Sequence, residues 1–232
     1  MGKRNLVLVG DIHGEFRTLV WNATERYKLE DADIVVLGDF GVGFDGTIPG
    51  TYAHLEKKLK KHNLHLWALR GNHDDPEWFD GTHDFEFLTF LQDHREVEIA
   101  GNSCYVIGGA ASTDIEWRLK RNNEAGHKYP VWWEGEYIAE KPAKDLPGRV
   151  DIILSHDAPL AFEPVTTRFS ETPEWQYEKI VKGREYLSQV LQETTTDYWY
   201  YGHYHKHYSG SWGNVLYKGL GIQEFYQHYG NK

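Results

Sequence analysis

The sequence predicts an α/β fold, and three observations carry that prediction. Short, continuous apolar runs recur along the first third of the chain, at Asn5–Val9, 33–37 and 64–69. Stretches that could be helical separate them. Each run meets a glycine within two residues of its end: Gly10, Gly38 and Gly71. Strand–helix–strand alternation of this kind builds a parallel sheet with right-handed crossovers.

The elements follow in order. Strands covered on both faces read as unbroken apolar runs rather than alternating ones, which is the look of all three segments. Residues 15–27 place Phe16, Leu19, Val20, Ala23 and Tyr27 at helical spacing, which predicts an amphipathic helix. Residues 51–62 predict a polar, lysine-rich helix with Leu55 and Leu59 turned inward. Later the pattern changes. Residues 96–100 and 103–107, joined at Gly101-Asn102, predict an antiparallel hairpin. Residues 150–154 predict a buried strand. Glu174–Glu193 is mostly helix, with Leu187, Val190 and Leu191 on its apolar face and a weak point at Gly183. Tyr198–Tyr201, Tyr208–Trp212, 215–218 and 222–226 finish the chain as short strands. Segments 111–149 and 157–173, rich in Trp, Pro and charge, predict irregular structure, and loops that long are functional or inserted. Neither an internal repeat nor a low-complexity linker interrupts the chain, so 1–232 is expected to form a single domain.

Composition narrows the classes. Nine Trp, 15 Tyr and 10 Phe in 232 residues are too many for a disordered chain. Cys104 is the only cysteine, which excludes an internal disulfide and a cysteine-rich zinc site and fits a reducing cytosol. No apolar run approaches the roughly 20 residues of a membrane span. The stretch 6–9 is too short for a signal peptide, and Leu6 stands where myristoylation needs Ser or Thr. A cytoplasmic protein without membrane partners is therefore expected. The net charge of −10 argues against strong general binding of nucleic acid.

The polar residues that follow the predicted strands are the informative ones. They are Asp11 and His13, then Asp39, then Asn72-His73-Asp74, then His156-Asp157, then His203 and His205. In open α/β sheets ligands bind at the carboxyl ends of the strands. Taken singly, an Asp or His in such a place is ordinarily a cap or a satisfied polar group. Taken together they bring carboxylate oxygen and imidazole nitrogen to one place, a mixture that suits Mn, Fe, Zn, Co or Ni better than Ca or Mg. Seven of them, Asp11, His13, Asp39, Asn72, His156, His203 and His205, exceed one tetrahedral site and fit two cations that share a carboxylate.

The order D-x-H, GD, GNH followed by an acid, a lone H, and GHxH resembles the calcineurin-like metallophosphoesterases. Here the blocks are Asp11/His13, Gly38-Asp39, Gly71-Asn72-His73-Asp74, His156 and Gly202-His203-Tyr204-His205. One word such as GNHD arises by chance about once in 10⁵ positions, so five ordered blocks are a specific signal. The resemblance implies a four-layer sandwich of two mixed β-sheets flanked by helices. It implies two divalent cations, manganese first among the candidates. One would be held by Asp11, His13, Asp39 and His205, the other by Asp39, Asn72, His156 and His203, with Asp39 bridging. It further implies a hydroxide between them that attacks phosphorus, the catalytic pair being His73 and Asp39. His73 would protonate the leaving alkoxide or bind the phosphoryl group.

A finer likeness lies in Gly108-Gly109-Ala110-Ala111-Ser112-Thr113-Asp114 with Arg118 and Trp132-Trp133. This resembles a block in bacterial and bacteriophage-encoded members, which would place the protein in a host cytoplasm if it is phage-encoded. Arg118 joins Asn72 and His73 as a candidate substrate contact, because its fork suits phosphate; an i,i+4 ion pair with Asp114 is an equal and compatible reading. Arg70 is expected to be structural. His207 is the histidine outside the motifs best placed to join the site, and Trp132-Trp133 and the Tyr198–Tyr201 cluster are expected to pack rather than to stack on a base.

Two subfamilies, the protein serine/threonine phosphatases and the symmetrical dinucleoside tetraphosphatases, follow GD with V-D-R-G. Here Asp39 is followed by Phe40-Gly41-Val42-Gly43. The acid that orients the catalytic histidine there is missing, and Asp74 is its candidate replacement by adjacency. The expected function is hydrolysis of a small phosphodiester, cyclic nucleotides included, by a metal-dependent enzyme. Nuclease and phosphomonoesterase action are the alternatives within the family, and a non-catalytic protein-binding scaffold is the alternative outside catalysis. Scaffold members typically lose the catalytic histidine or some ligands, and this chain keeps them all. The sequence names neither substrate nor oligomeric state.

Overall fold

A computed structural model describes residues 4–47, 53–164 and 172–230. In chain order it contains β1 (Asn5–Val9), α1 (Phe16–Trp21), β2 (Ala32–Val36), α2 (Ala53–Lys61), β3 (Leu64–Ala68) and β4 (Leu88–Phe90). Then come the β5 (Glu96–Ile99) and β6 (Asn102–Ile107) hairpin, α3 (Ile115–Asn122), β7 (Ile152–Ser155) and α4 (Glu174–Glu193). The strands β8 (Tyr198–Tyr201), β9 (Tyr208–Trp212), β10 (Val215–Gly219) and β11 (Phe225–His228) complete it.

Two mixed sheets form. The first has five strands in the order β11-β1-β2-β3-β4, parallel except for β11, which runs antiparallel to β1. The second has six in the order β5-β6-β7-β8-β10-β9, with a parallel centre and antiparallel pairs at both ends. Alternate side chains of each strand serve different layers. Leu6 and Leu8 of β1 meet Val106 of β6, Leu154 of β7 and Tyr200 of β8 between the sheets. Val7 and Val9 turn the other way, onto Leu19, Val20 and Ala23 and onto Leu59 of α2. On the outer face of the second sheet, Tyr105, Ile153 and Trp199 pack against Leu187 and Val190 of α4. Four layers result, and a strand with both faces covered has no polar side to show in its sequence.

Several expectations shift. The last strand begins at Phe225 rather than 222, because Gly221–Glu224 forms a turn closed by a Glu224 N–H bond to the Gly221 carbonyl at 3.0 Å. Gly183 does not interrupt α4, and a Cβ there would meet the side chain of Ile138 at 3.4 Å, an ordinary contact. The 111–149 segment contains α3 and two short 3₁₀ turns, Glu134–Glu136 and Ala143–Asp145. The expected 15–27 helix is α1 followed by a π-helical turn over Asn22–Arg26. The expected start of α2 at 51 and the side chain of Leu55 lie outside the described residues, as does 165–171 within the second irregular segment. Among the described residues, no helix is long and apolar enough to cross a membrane.

Cys104 lies in the core between the sheets, and burial pushes its thiol up to about 12. The native protein should therefore resist iodoacetamide at pH 8 over an hour, whereas the urea-unfolded chain should take up one equivalent. Rapid modification of the native protein, followed by mass spectrometry, would show that the inter-sheet core opens.

Candidate metal centre

The donors come from the carboxyl ends of five strands. Asp11 and His13 follow β1, Asp39 follows β2, Asn72 and His73 follow β3, His156 follows β7, and His203 and His205 follow β8. The two central stretches of parallel strands thus aim at one edge of the sandwich, and the layer packing brings the two sets of ends together.

Asp11, His13, Asp39 and His205 form the tightest group, each offering a ligand atom within 4.8 Å of the others. His13 Nε2 and His205 Nε2 face each other at 3.0 Å, and His205 Nε2 stands 3.1 Å from Asp11 Oδ2. Two donors each about 2.1 Å from one cation and at right angles lie about 3.0 Å apart, so this spacing is that of ligands around a shared ion. Asp11 Oδ1 accepts the His203 N–H at 2.9 Å, yet Asp11 Oδ2 is buried with no hydrogen bond. A buried carboxylate oxygen left without a donor is costly unless something positive meets it. The residues present therefore fit a metal ion.

A second group lies against the other oxygen of Asp39. His156 Nε2 is 3.2 Å from Asp39 Oδ1 and 3.1 Å from Asn72 Oδ1. The Nδ1 of His156 is 2.8 Å from the Leu37 carbonyl, which fixes Nδ1 as the protonated nitrogen and turns Nε2 to the site. The His203 ring packs edge-on against His156 with centroids 5.0 Å apart.

The electrostatics agree. Burial pushes the Asp39 carboxyl up, but His156, His73 and His13 outweigh it and hold it well below the usual carboxylate range. Burial pulls His156 down, and the Asp39 charge and hydrogen bond overturn that and lift it to about 10. The pocket thus holds a positive charge between Asp39 and His156, where either a proton or a cation can sit. Burial, reinforced by the neighbouring His156 charge, lowers His203 to about 3, which leaves it a neutral ligand.

The glycines of the motif are there for close approach. A side chain at Gly38 (φ 92°) would overlap the His156 ring, and one at Gly71 would overlap Asp39. The backbone of His13, Asp39, His203 and His205 is left-handed, with φ of 46°, 48°, 67° and 56°. Such residues cost about 1–3 kcal/mol each and gather where surrounding contacts over-determine them.

Asp74 does not orient His73. Its two oxygens accept four backbone N–H groups, from Phe40 (3.1 Å), Gly41 (2.6 Å), Val42 (3.1 Å) and Gly71 (2.7 Å). Burial, then the Asp39 charge, push it up to about 7 against those bonds. What touches His73 is Arg118, whose Nη2 lies 2.5 Å from His73 Nε2, together with the Phe44 ring at 4.6 Å between centroids. Arg118 also makes the expected ion pair with Asp114 at 2.7 Å and donates to the Asn72 carbonyl at 2.7 Å. It is 1% exposed, so its fork is turned into the protein.

Arg70 is structural as expected, bridging Asp93 and the carbonyls of Gly108, Gly135, Glu136 and Tyr137. His207 pairs with Glu224 at 2.6 Å rather than joining the metal group. Ser112, named in the sequence only as part of the Gly108–Asp114 block, is buried against Asn72, and Glu136 and Gln176, which the sequence did not single out, are buried behind it. Nothing in the spacing of the last two marks them, because they come from a 3₁₀ turn and α4.

The sequence profile of the calcineurin-like phosphoesterases matches residues 4–207. The chain belongs to that family. All five motif blocks fall inside the matched span, so family membership and the Asp/His cluster together make it a metal-binding phosphoester hydrolase acting on a small phosphoester. Among solved structures, that of TT1561 of Thermus thermophilus superposes with a TM-score of 0.52 at 13% identity, over 98% of this chain and 99% of that one. At such low identity the likeness is one of fold. No curated protein matches the chain.

Asp74→Asn would set an amide NH₂ against two of the four N–H donors. Unfolding free energy should fall by about 3 kcal/mol or more, read by urea titration. A loss under about 1 kcal/mol would mean that these loops do not depend on the carboxylate.

Proposed function

We propose that the protein is a phosphodiesterase that hydrolyses small diesters, cyclic nucleotides among them, at a dinuclear manganese centre. The observation that carries the reading is the position of Asp39. Its Oδ1 faces His156 Nε2 at 3.2 Å, and its Oδ2 faces the ring of His13 at 3.9 Å. Each oxygen therefore belongs to a different donor set. Asp11, His13, Asp39 and His205 would hold one ion, and Asp39, Asn72, His156 and His203 the other. When bound, such a pair stabilises charge on the phosphoryl oxygens and lowers the pKa of the attacking water.

The chain's own groups determine the rest. Burial lowers His73 to about 3, the Arg118 charge adding to this against the pull of Asp39. Arginine can only donate, so the Nε2 of His73 accepts and its proton sits on Nδ1. His73 is then a neutral hydrogen-bond donor to the phosphoryl group rather than a source of a proton. The preference for a diester follows from charge. A monoester dianion needs extra cationic donors. The segment after Asp39 supplies none, its N–H groups being taken by Asp74, and the Arg118 guanidinium is engaged with His73, Asn72 and Asp114.

Titration with manganese should saturate at two ions per chain, and kcat/KM of the loaded protein should be at least tenfold higher for bis-nitrophenyl phosphate than for nitrophenyl phosphate. A tenfold advantage for the monoester would reverse the specificity while leaving the hydrolase intact. Two bound ions with neither ester cleaved would favour the scaffold reading.

His73→Ala should retain its metals and lose roughly 10²–10³ in kcat, equally on nitrophenyl and alkyl diesters, as for removal of one transition-state donor. A loss that shrinks tenfold or more on the nitrophenyl ester, whose leaving group needs no proton, would return His73 to general acid catalysis.

A further inference from the structure

An amide can serve a cation with one end only. Asn72 must turn Oδ1 to the ions, and an asparagine side chain is free to flip unless its partners forbid it. Its partner Ser112 and the two residues behind it, Glu136 and Gln176, are each 0% exposed. Asn72 Nδ2 donates to Ser112 Oγ at 3.1 Å. A serine hydroxyl can donate or accept, so this contact alone would not choose the amide's orientation. Glu136 makes the choice. Its Oε2 lies 2.5 Å from Ser112 Oγ, and its Oε1 accepts the Ser112 N–H at 3.0 Å. In its ionised form Glu136 has no proton to give, so the serine directs its own to Glu136 and is left an acceptor toward Asn72. Glu136 is held in turn by Gln176 of α4, whose Nε2 reaches the Ser112 carbonyl at 2.7 Å and Glu136 Oε1 at 3.4 Å. Tyr137 donates to Gln176 Oε1 at 2.9 Å, which turns the NH₂ end of that amide to the serine. Every donor in the chain therefore points one way, from Tyr137 and Gln176 to Glu136 and from Asn72 through Ser112 to Glu136.

We propose that Ser112 and Glu136 are positioning residues for metal binding, which lock the Asn72 amide with its oxygen toward His156 and Asp39. The proposal rests on the dinuclear reading and concerns the ion held by Asp39, Asn72, His156 and His203. Neither residue touches that ion. Without the serine hydroxyl, Asn72 Nδ2 loses its acceptor and the amide can present either end. Glu136 without that hydroxyl would lose the donor that Oε2 now has, which is a further reason for the pair to stay intact.

The test is manganese titration of the full-length protein, with free ion counted by electron paramagnetic resonance. The chains compared are wild type, Ser112→Ala, Asn72→Ala and the double variant. Wild type should bind two ions. Ser112→Ala should bind one as wild type does and the other 10–100-fold more weakly, the usual loss when a partner behind a ligand is removed. In the Asn72→Ala background the same change should have no further effect, because its route is gone. A serine that only supports the fold would weaken both ions, or would act equally with and without Asn72, and either result overturns the proposal. So does wild-type binding of both ions by Ser112→Ala. If Ser112→Ala does not fold, Glu136→Gln reads the same selectivity with the hydroxyl present, and undiminished binding of both ions there overturns the proposal. A wild type that saturates at one ion removes the dinuclear reading and the proposal with it, an outcome visible before any variant is compared.

Discussion

The carboxylate of Asp74 accepts N–H groups from Phe40, Gly41 and Val42 on one loop and Gly71 on another. The first loop carries Asp39 and the second carries Asn72 and His73. A buried carboxylate that satisfies four otherwise unpaired donors therefore sets how far apart the ends of β2 and β3 can stand. Asp39 in turn accepts the His73 N–H at 2.8 Å, which binds the two loops a second time. The centre is built on this backbone arrangement before any metal is considered.

Burial then gives the site its chemistry. Asp11, Asp39 and His156 are at most 1% exposed, so their charges meet little water. Asp39 stays ionised because the imidazoles that face it, His156 foremost, outweigh its burial, and the Asp39 charge in turn makes His156 strongly basic. A group of carboxylates and imidazoles in this state is poorly balanced by protons alone, and buried Asp11 Oδ2 has only the rings of His205, at 3.1 Å, and His13, at 3.9 Å, to face it. A divalent cation answers both conditions. The left-handed backbone at His13, Asp39, His203 and His205 has the same origin, since strained residues persist where packing and hydrogen bonding leave them no alternative.

The second sheet contributes more than His156 and the two late histidines. The hydroxyl of Tyr204, which lies between His203 and His205, donates to Asp157, which follows His156. Arg184 of α4 sits over the Tyr204 ring and holds the carbonyls of Ala158, Pro159 and Phe162. One helix thus steadies the His156 loop through Arg184 and the Asn72 amide through Gln176. That is a physical reason for α4 to run unbroken through Gly183.

The strands were legible in the amino-acid order alone, because β1 and β2 are buried on both faces and β3 on one, and apolar side chains dominate all three. So were the candidate donors, because the polar residues set at the strand ends stand in short words with glycines that close packing demands. Neither β4, three residues long, nor α3 could be seen there; the apolar side chains of α3 are too few to mark a period against the charges around them. What lies behind the donors emerged from the packing of layers. Asp74 is next to His73 in the chain yet serves the backbone, while Arg118, 45 residues away, touches the ring. Ser112 meets Asn72, and Glu136 and Gln176 meet Ser112, from three separate elements. Local pattern records what a residue's neighbours along the chain require. Hydrogen bonds across 24 to 64 residues, such as those joining Ser112 to Glu136 and to Gln176, are set by how the layers meet and leave no period to read.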